Sequence, residues 1–163
     1  MSSATSRSAP AGRGEQSRLR KGGGDFLLID EAYNANPASM RAALAVLAAA
    51  PLGEGGRRIA ALGDMLELGP QSQALHEELA GAIEANGVDL VFAAGPMMKA
   101  LFDALPASKK GLWAPASLDI EGALIGEIRA GDAVMVKGSN GSRMGPVVAA
   151  IRKHAAGEPA GEG

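Results

Sequence analysis

Cysteine is missing from all 163 residues. That rules out disulfides and thiolate metal sites, and it fits a reducing compartment. Aromatic residues are scarce at 3%, so large ring-filled sheets are not the source of the core. No excess of either charge sign exists, with 16 Lys and Arg against 18 Asp and Glu. A net charge of −2 gives no bulk attraction to nucleic acid or to an anionic membrane, and neither is expected as a partner. No apolar run approaches the roughly 18 residues of a membrane span, so insertion is not expected. The opening MSSATSRSAPAGRGEQSRLRKGGG has no apolar core of the kind a secretory signal needs. Two phosphate-binding fingerprints are also missing. No Gly-Lys-Ser/Thr occurs, and no strand leads into GxGxxG.

What is present is a globular balance: 47% hydrophobic and 21% charged residues, at a length suited to one domain with a real core. Much of the apolar share is alanine, which lets helices pack closely on a sheet. Composition divides the chain into three parts. Residues 1–24, rich in Ser, Arg and Gly, read as a flexible linker or the tail of an upstream domain. Residues 25–154 read as the folded domain. Residues 155–163 read as a disordered tail.

Within 25–154, short apolar runs alternate with helical patterns. The runs are FLLID, RIAALG, LVFAAG and AVMVKG, with a weaker one at GLWAP. Met40, Ala43, Leu44 and Leu47 share one helix face, as do Leu75, Leu79, Ala82 and Ile83. Asn86-Gly87 is a helix stop. Further helical patterns run over 96–105, 118–128 and 144–154. Strand alternating with helix, and strands apolar throughout, predicts an α/β fold. The sheet should be mostly parallel, doubly wound, of about five to six strands, with helices on both faces.

Ligands of such sheets bind beyond the carboxyl ends of the strands. Three of those ends are dense in polar groups. The first is Asp30, Glu31, Tyr33, Asn34 and Asn36. A carboxylate there suits two ribose hydroxyls, since it accepts two hydrogen bonds at once; Asn36 or Ser39 could instead cap the next helix. The second is Asp64 with Glu67, which could order a ligand amine or a metal's water shell, or could be a helix cap and a solvated acid. His76 in the helix beyond has no Ser or Cys nucleophile to pair with and reads as structural or exposed. The third is Lys137, Gly138, Ser139, Asn140, Gly141 and Arg143, which reads either as a glycine-rich anion loop or as an ordinary turn.

Taken together, AGRG at 11–14, DEAYNANPASMRAAL from Asp30, RRIAALGDMLELG from Arg57 with His76 after it, and KGSNGSRM from Lys137 resemble one family. That family is the Mur ligases of peptidoglycan synthesis, MurF type, and the likeness runs from about Pro10 to Arg152. It implies a Rossmann-like C-terminal domain of an ATP-dependent amide ligase. Such an enzyme joins D-Ala-D-Ala to UDP-MurNAc-tripeptide through an acyl phosphate, in the bacterial cytoplasm. ATP and magnesium are the implied cofactors. The implied partners are the N-terminal and central domains of the same ligase, the central one carrying the phosphate loop and most of the magnesium site. By the same resemblance, Arg13 would reach the ATP phosphates, and Glu31 or its neighbour Asp30 would hold the ribose. Tyr33, Asn34 and Asn36 would face the ATP side. Lys137, Ser139 and Asn140, with Asp64 and Glu67, would face D-Ala-D-Ala or the acyl phosphate, Lys137 and Asp64 being the nearest to catalytic candidates. No metal ligand is expected in this chain, and the chain alone is expected to be inactive. The competing expectation is a stand-alone α/β binding module without catalysis.

Overall fold

The computed structural model describes residues 12–158. Six strands form one sheet: β1 (Glu15–Lys21), β2 (Gly24–Glu31), β3 (Arg58–Gly63), β4 (Leu90–Ala94), β5 (Lys110–Ala114) and β6 (Ala133–Lys137). The helices are α1 (Pro37–Ala49), α2 (Ser72–Ala85), α3 (Met98–Ala104), α4 (Glu121–Glu127) and α5 (Gly145–Ala156). The strand order is β1-β2-β6-β3-β4-β5. Every pairing is parallel except the β1–β2 hairpin.

Strand alternation divides the core between two faces. Leu27 and Ile29 point to a layer closed by α1, α2 and α3, with Met40, Leu44, Leu79, Ile83 and Leu101 fully buried there. Phe26 and Leu28 point the other way, to a layer closed by α4 and α5 through Leu124, Val147 and Ile151. Both faces are therefore covered, which is why these strands are apolar throughout and not alternating.

Local signals set the helix ends. Asn36 caps α1: its Oδ1 accepts from Ser39 N at 2.8 Å, while Ser39 Oγ accepts from Asn36 N at 2.9 Å. Pro37 follows at the first helical position, where its missing N–H costs nothing. Pro51 limits the other end. The chain after α2 turns through Gly87 at φ +68°.

Two expected boundaries need correction. Residues 1–24 are not a linker throughout, because 15–21 form β1 and pair residue for residue with β2, from Glu15↔Asp30 to Lys21↔Gly24. This strand is an edge strand of polar sequence, EQSRLRK, so no apolar run announces it. Its signal is the two-residue turn Gly22-Gly23, with φ of +57° and +88°, the geometry of a tight hairpin. At the other end, α5 continues through Ala156, and Glu158 Oε1 accepts from Gly22 N at 3.0 Å. The expected tail therefore starts later than 155. Residues 1–11 and 159–163 lie outside the described residues.

The step that builds the site is the return of β6 to the middle of the sheet. It lies between β2 and β3, with Glu31↔Lys137 and Leu62↔Lys137 in register. Residues far apart in sequence thus share one carboxyl edge.

Candidate functional site: the carboxyl edge of the sheet

Lys137 ends β6 and is only 3% exposed. Its Nζ donates to the carbonyl of Asn34 at 2.5 Å. Burial lowers its pKa from the ordinary lysine value, and the charge of Glu31 partly restores it. Glu31 is half-buried beside it. Burial raises its carboxyl pKa, Lys137 opposes the rise, and Asp30 adds to it. The two residues are register neighbours whose charges act on each other without forming a salt bridge, and both are held part-way out of water, where charges act more strongly on a ligand than at an open surface.

Asp30 points differently from its neighbour. Its Oδ2 accepts from Gly12 N at 2.9 Å and its Oδ1 from Ala32 N at 3.1 Å. The Asp30 carboxylate clasps the segment preceding β1, and Gly14 N→Asp30 O at 2.8 Å and Tyr33 N→Gly12 O at 3.0 Å complete the clasp. Gly12 and Gly14 both need positive φ, +79° and +95°. The Oε2 of Glu31 lies 3.4 Å from where a Cβ on Gly14 would stand, ordinary contact distance, so it is the positive φ and not space that calls for glycine there. Between the two glycines Arg13 is held out, its guanidinium 3.9 Å from the centroid of the Tyr33 ring. Tyr33 is 48% exposed, so this stacked cation stands on the surface beside Glu31. A groove of about 340 Å³ lies alongside, between this segment and α5, lined by Gly12, Tyr33, Asn140, Val148 and Arg152 among others.

Several expected ligand groups have a structural use in the fold. Asp64 is buried, with Oδ1 accepting from Met98 N at 2.8 Å and Oδ2 from Met97 N at 3.2 Å. It caps the first turn of α3, not the helix that follows it in sequence. The carboxylate fits there because Gly95, at φ +113°, leaves no Cβ to collide with it. Asn36 spends its side-chain oxygen on the α1 cap. Ser139 Oγ accepts from Ser142 N at 3.1 Å and holds the turn after β6. Asp30, as above, is a clasp. An isolated sequence cannot separate these uses from ligand binding, because a carboxylate that caps a backbone and one that meets a ligand look alike on paper. Asn34, Glu67 and Asn140 are exposed on the rim. Arg143 does not open α5; it ends a short 3-10 turn in the left-handed region, at φ 61°.

His76 is fully buried and structural. Its Nε2 accepts from Met65 N at 3.0 Å, and its Nδ1 donates to Ser72 O at 2.7 Å. This fixes the neutral Nδ1–H tautomer and ties the loop after β3 to α2.

A second recess was not singled out in sequence. A cleft of about 260 Å³ opens between the ends of β3, β4 and β5, lined by Ala94, Pro96, Pro115, Ala116, Ser117, Gly141 and Arg143. The Pro115–Ser117 wall carries no charged side chain, so nothing in composition marks it.

Doubly wound α/β domains that gather their polar groups at one strand end form a class of ligand-binding domains. Residues 12–140 match the family described as Mur ligase, glutamate ligase domain, and the chain belongs to that family. The UDP-N-acetylmuramoyl-tripeptide–D-alanyl-D-alanine ligase of Escherichia coli K12 is 36% identical over 128 residues, covering 78% of this chain and 27% of that protein. The ligase of the same name from Synechocystis is 33% identical over 145 residues, covering 87% of this chain and 30% of that one. In structure, the chain is similar to the MurF ligase of Thermotoga maritima crystallised with ADP, with a TM-score of 0.73 and 25% identity over 91% of this chain and 32% of that one. The chain thus spans roughly a third of the length of these relatives or less.

Proposed function

We propose that this chain is the C-terminal domain of an ATP-dependent ligase that joins D-alanyl-D-alanine to UDP-N-acetylmuramoyl-tripeptide. The observation that carries the reading is the β2–β6 register. It sets Glu31 against Lys137 next to the Arg13–Tyr33 stack, on a rim that has no phosphate loop. Half a charged cleft is what one module of a multi-domain ligase supplies.

The chemistry assigns these groups as follows. The tripeptide's terminal carboxylate attacks the γ-phosphorus of ATP, and ADP leaves. The dipeptide's amine attacks the acyl phosphate carbonyl, inorganic phosphate leaves, and the amine nitrogen loses a proton. Glu31, whose carboxylate lies over Gly14, accepts from the ribose hydroxyls, and the clasped Asp30 sets the segment on which this depends. Arg13 reaches the phosphates from its stack on Tyr33. Lys137 offsets negative charge on the transferred phosphoryl group, and its partial burial increases that effect. Tyr33, Asn34 and Asn140 line the nucleotide side, while Glu67 and the Ser139 turn lie at the dipeptide side. Magnesium, when bound, neutralises triphosphate charge. By the family resemblance, most of its ligands would stand on the upstream domain. Closure of that domain over the rim excludes water from a hydrolysable intermediate. These substrates place the work in the bacterial cytoplasm.

The test is ADP release with ATP, magnesium, UDP-MurNAc-tripeptide and D-Ala-D-Ala. The expected result is background release by this chain alone and turnover when it is produced in one polypeptide with its upstream phosphate-loop domains. Steady turnover by the chain alone would overturn the half-site reading.

A further inference from the structure

We propose that Arg143 anchors the non-reacting carboxylate of the acceptor dipeptide, with the cleft between the ends of β3, β4 and β5 as the seat for its body. This rests on the ligase reading above and names a residue for its acceptor side.

Three observations converge on it. First, the cleft holds about 260 Å³ and is walled by apolar groups, the small Ala94, Pro96, Pro115 and Ala116 with the larger Leu66. Methyl side chains fit such walls, and long charged ones do not. Second, its charges are unbalanced. Asp64 also lines it, but that carboxylate is occupied by the Met97 and Met98 N–H groups. Arg143, an exposed residue, lines the same cleft and forms no salt bridge among the described residues. A recess with an unneutralised guanidinium selects an anion, and the planar fork of arginine matches a carboxylate in particular.

Third, the backbone at Arg143 is fixed in a costly conformation. It sits at φ 61°, which for a non-glycine residue is sparsely populated. Ser117 Oγ donates to its carbonyl at 2.8 Å, tying it to the opposite wall. The backbone of this arginine is thus tied in place, on the same loop as Lys137 and Ser139. An acceptor whose carboxylate meets Arg143 lies along the same carboxyl edge as Lys137 and Glu31, which end neighbouring strands.

The test is steady-state kinetics of the ligase containing its upstream domains, with Arg143→Asn and Arg143→Lys. Asparagine tolerates the left-handed region and removes the charge. Equal urea midpoints for variant and wild type confirm an intact fold. Losing one charge-assisted contact predicts a KM for D-Ala-D-Ala raised about 10- to 100-fold in Arg143→Asn. KM for ATP and kcat should stay near wild type, and Arg143→Lys should recover part of the loss. D-alanyl-D-alaninamide, which has no carboxylate, should be a poor acceptor for wild type and no worse than the acid for Arg143→Asn. A dipeptide KM within twofold of wild type in Arg143→Asn overturns the proposal and leaves the ligase reading standing, and so does equal use of amide and acid by wild type. A wild-type ligase that makes no product overturns both.

Discussion

The two ends of the sheet handle charge in opposite ways. At the amino end, Asp132 is 1% exposed yet fully matched. It accepts from Arg57 N at 2.9 Å, Arg129 N at 2.8 Å and the Arg57 guanidinium at 3.0 Å, while Arg57 also pairs with Glu127 at 2.8 Å. At the carboxyl end, burial opposes the charged forms of Lys137 and Glu31. Among the described residues, Arg13 stacks on a ring and Arg143 forms no salt bridge with an acid. The matched end spends its charges on the fold. The unmatched end keeps charges that the fold does not need, which is the mark of a surface awaiting something else.

That contrast can be broken by mutation. The largest stability effect should come from Asp132→Ala, which orphans several buried donors and should cost about 3–5 kcal/mol in urea unfolding. Lys137→Met should do the reverse. Unfolding should stay within about 1 kcal/mol of wild type or become more favourable to the fold, because a partly desolvated ammonium is gone. Ligase turnover should fall about 10- to 100-fold. A Lys137→Met chain as unstable as Asp132→Ala would erase the difference between the ends.

Asn36→Ala tests a residue that moved from one category to the other. Losing the α1 cap should cost about 1 kcal/mol in the same unfolding assay, with little change in KM for ATP. The smallest effect is a pH dependence at Glu31. Its carboxyl holds a proton more tightly in the folded chain than in the unfolded one, where the value is near 4.5. Its contribution to stability is therefore full below that pH and is lost as pH rises through the folded value. Glu31→Gln, a mimic of the protonated form, should match wild type at pH below 4.5 and exceed it near pH 7, read as the difference in melting temperature.

Much of this fold was legible before any coordinates. The four apolar strands, the helix faces and the stop at Asn86-Gly87 follow from burial on both sides of a parallel sheet, which leaves a strong pattern. β1 was not legible as a strand because an edge is solvated and its sequence is polar; only the Gly22-Gly23 turn marked it. The candidate residues were legible as one rim of the sheet but not as a set of roles. Residues after strand ends were gathered on one rim because topology guarantees it. Which of them bind was hidden, since Asp30, Asp64, Asn36 and Ser139 satisfy backbone donors with the same atoms a ligand would use. His76 reads in sequence as structural or exposed, and the fold decides for structural by burying the ring between Met65 N and Ser72 O. The Pro115–Ser117 wall and the Arg57–Asp132 network left no signal, being made by residues ordinary in isolation and joined only by the fold.

Ligands are expected to meet this chain at the carboxyl edge of the sheet and not at the amino end. Backbone chemical-shift mapping of the chain within the proposed ligase, on addition of an ATP analogue and then D-Ala-D-Ala, tests this directly. Shifts are expected at Arg13, Glu31, Tyr33, Lys137 and then Arg143, with Arg57, Glu127 and Asp132 unmoved. Shifts concentrated at Arg57, Glu127 and Asp132, with the carboxyl edge silent, would contradict it.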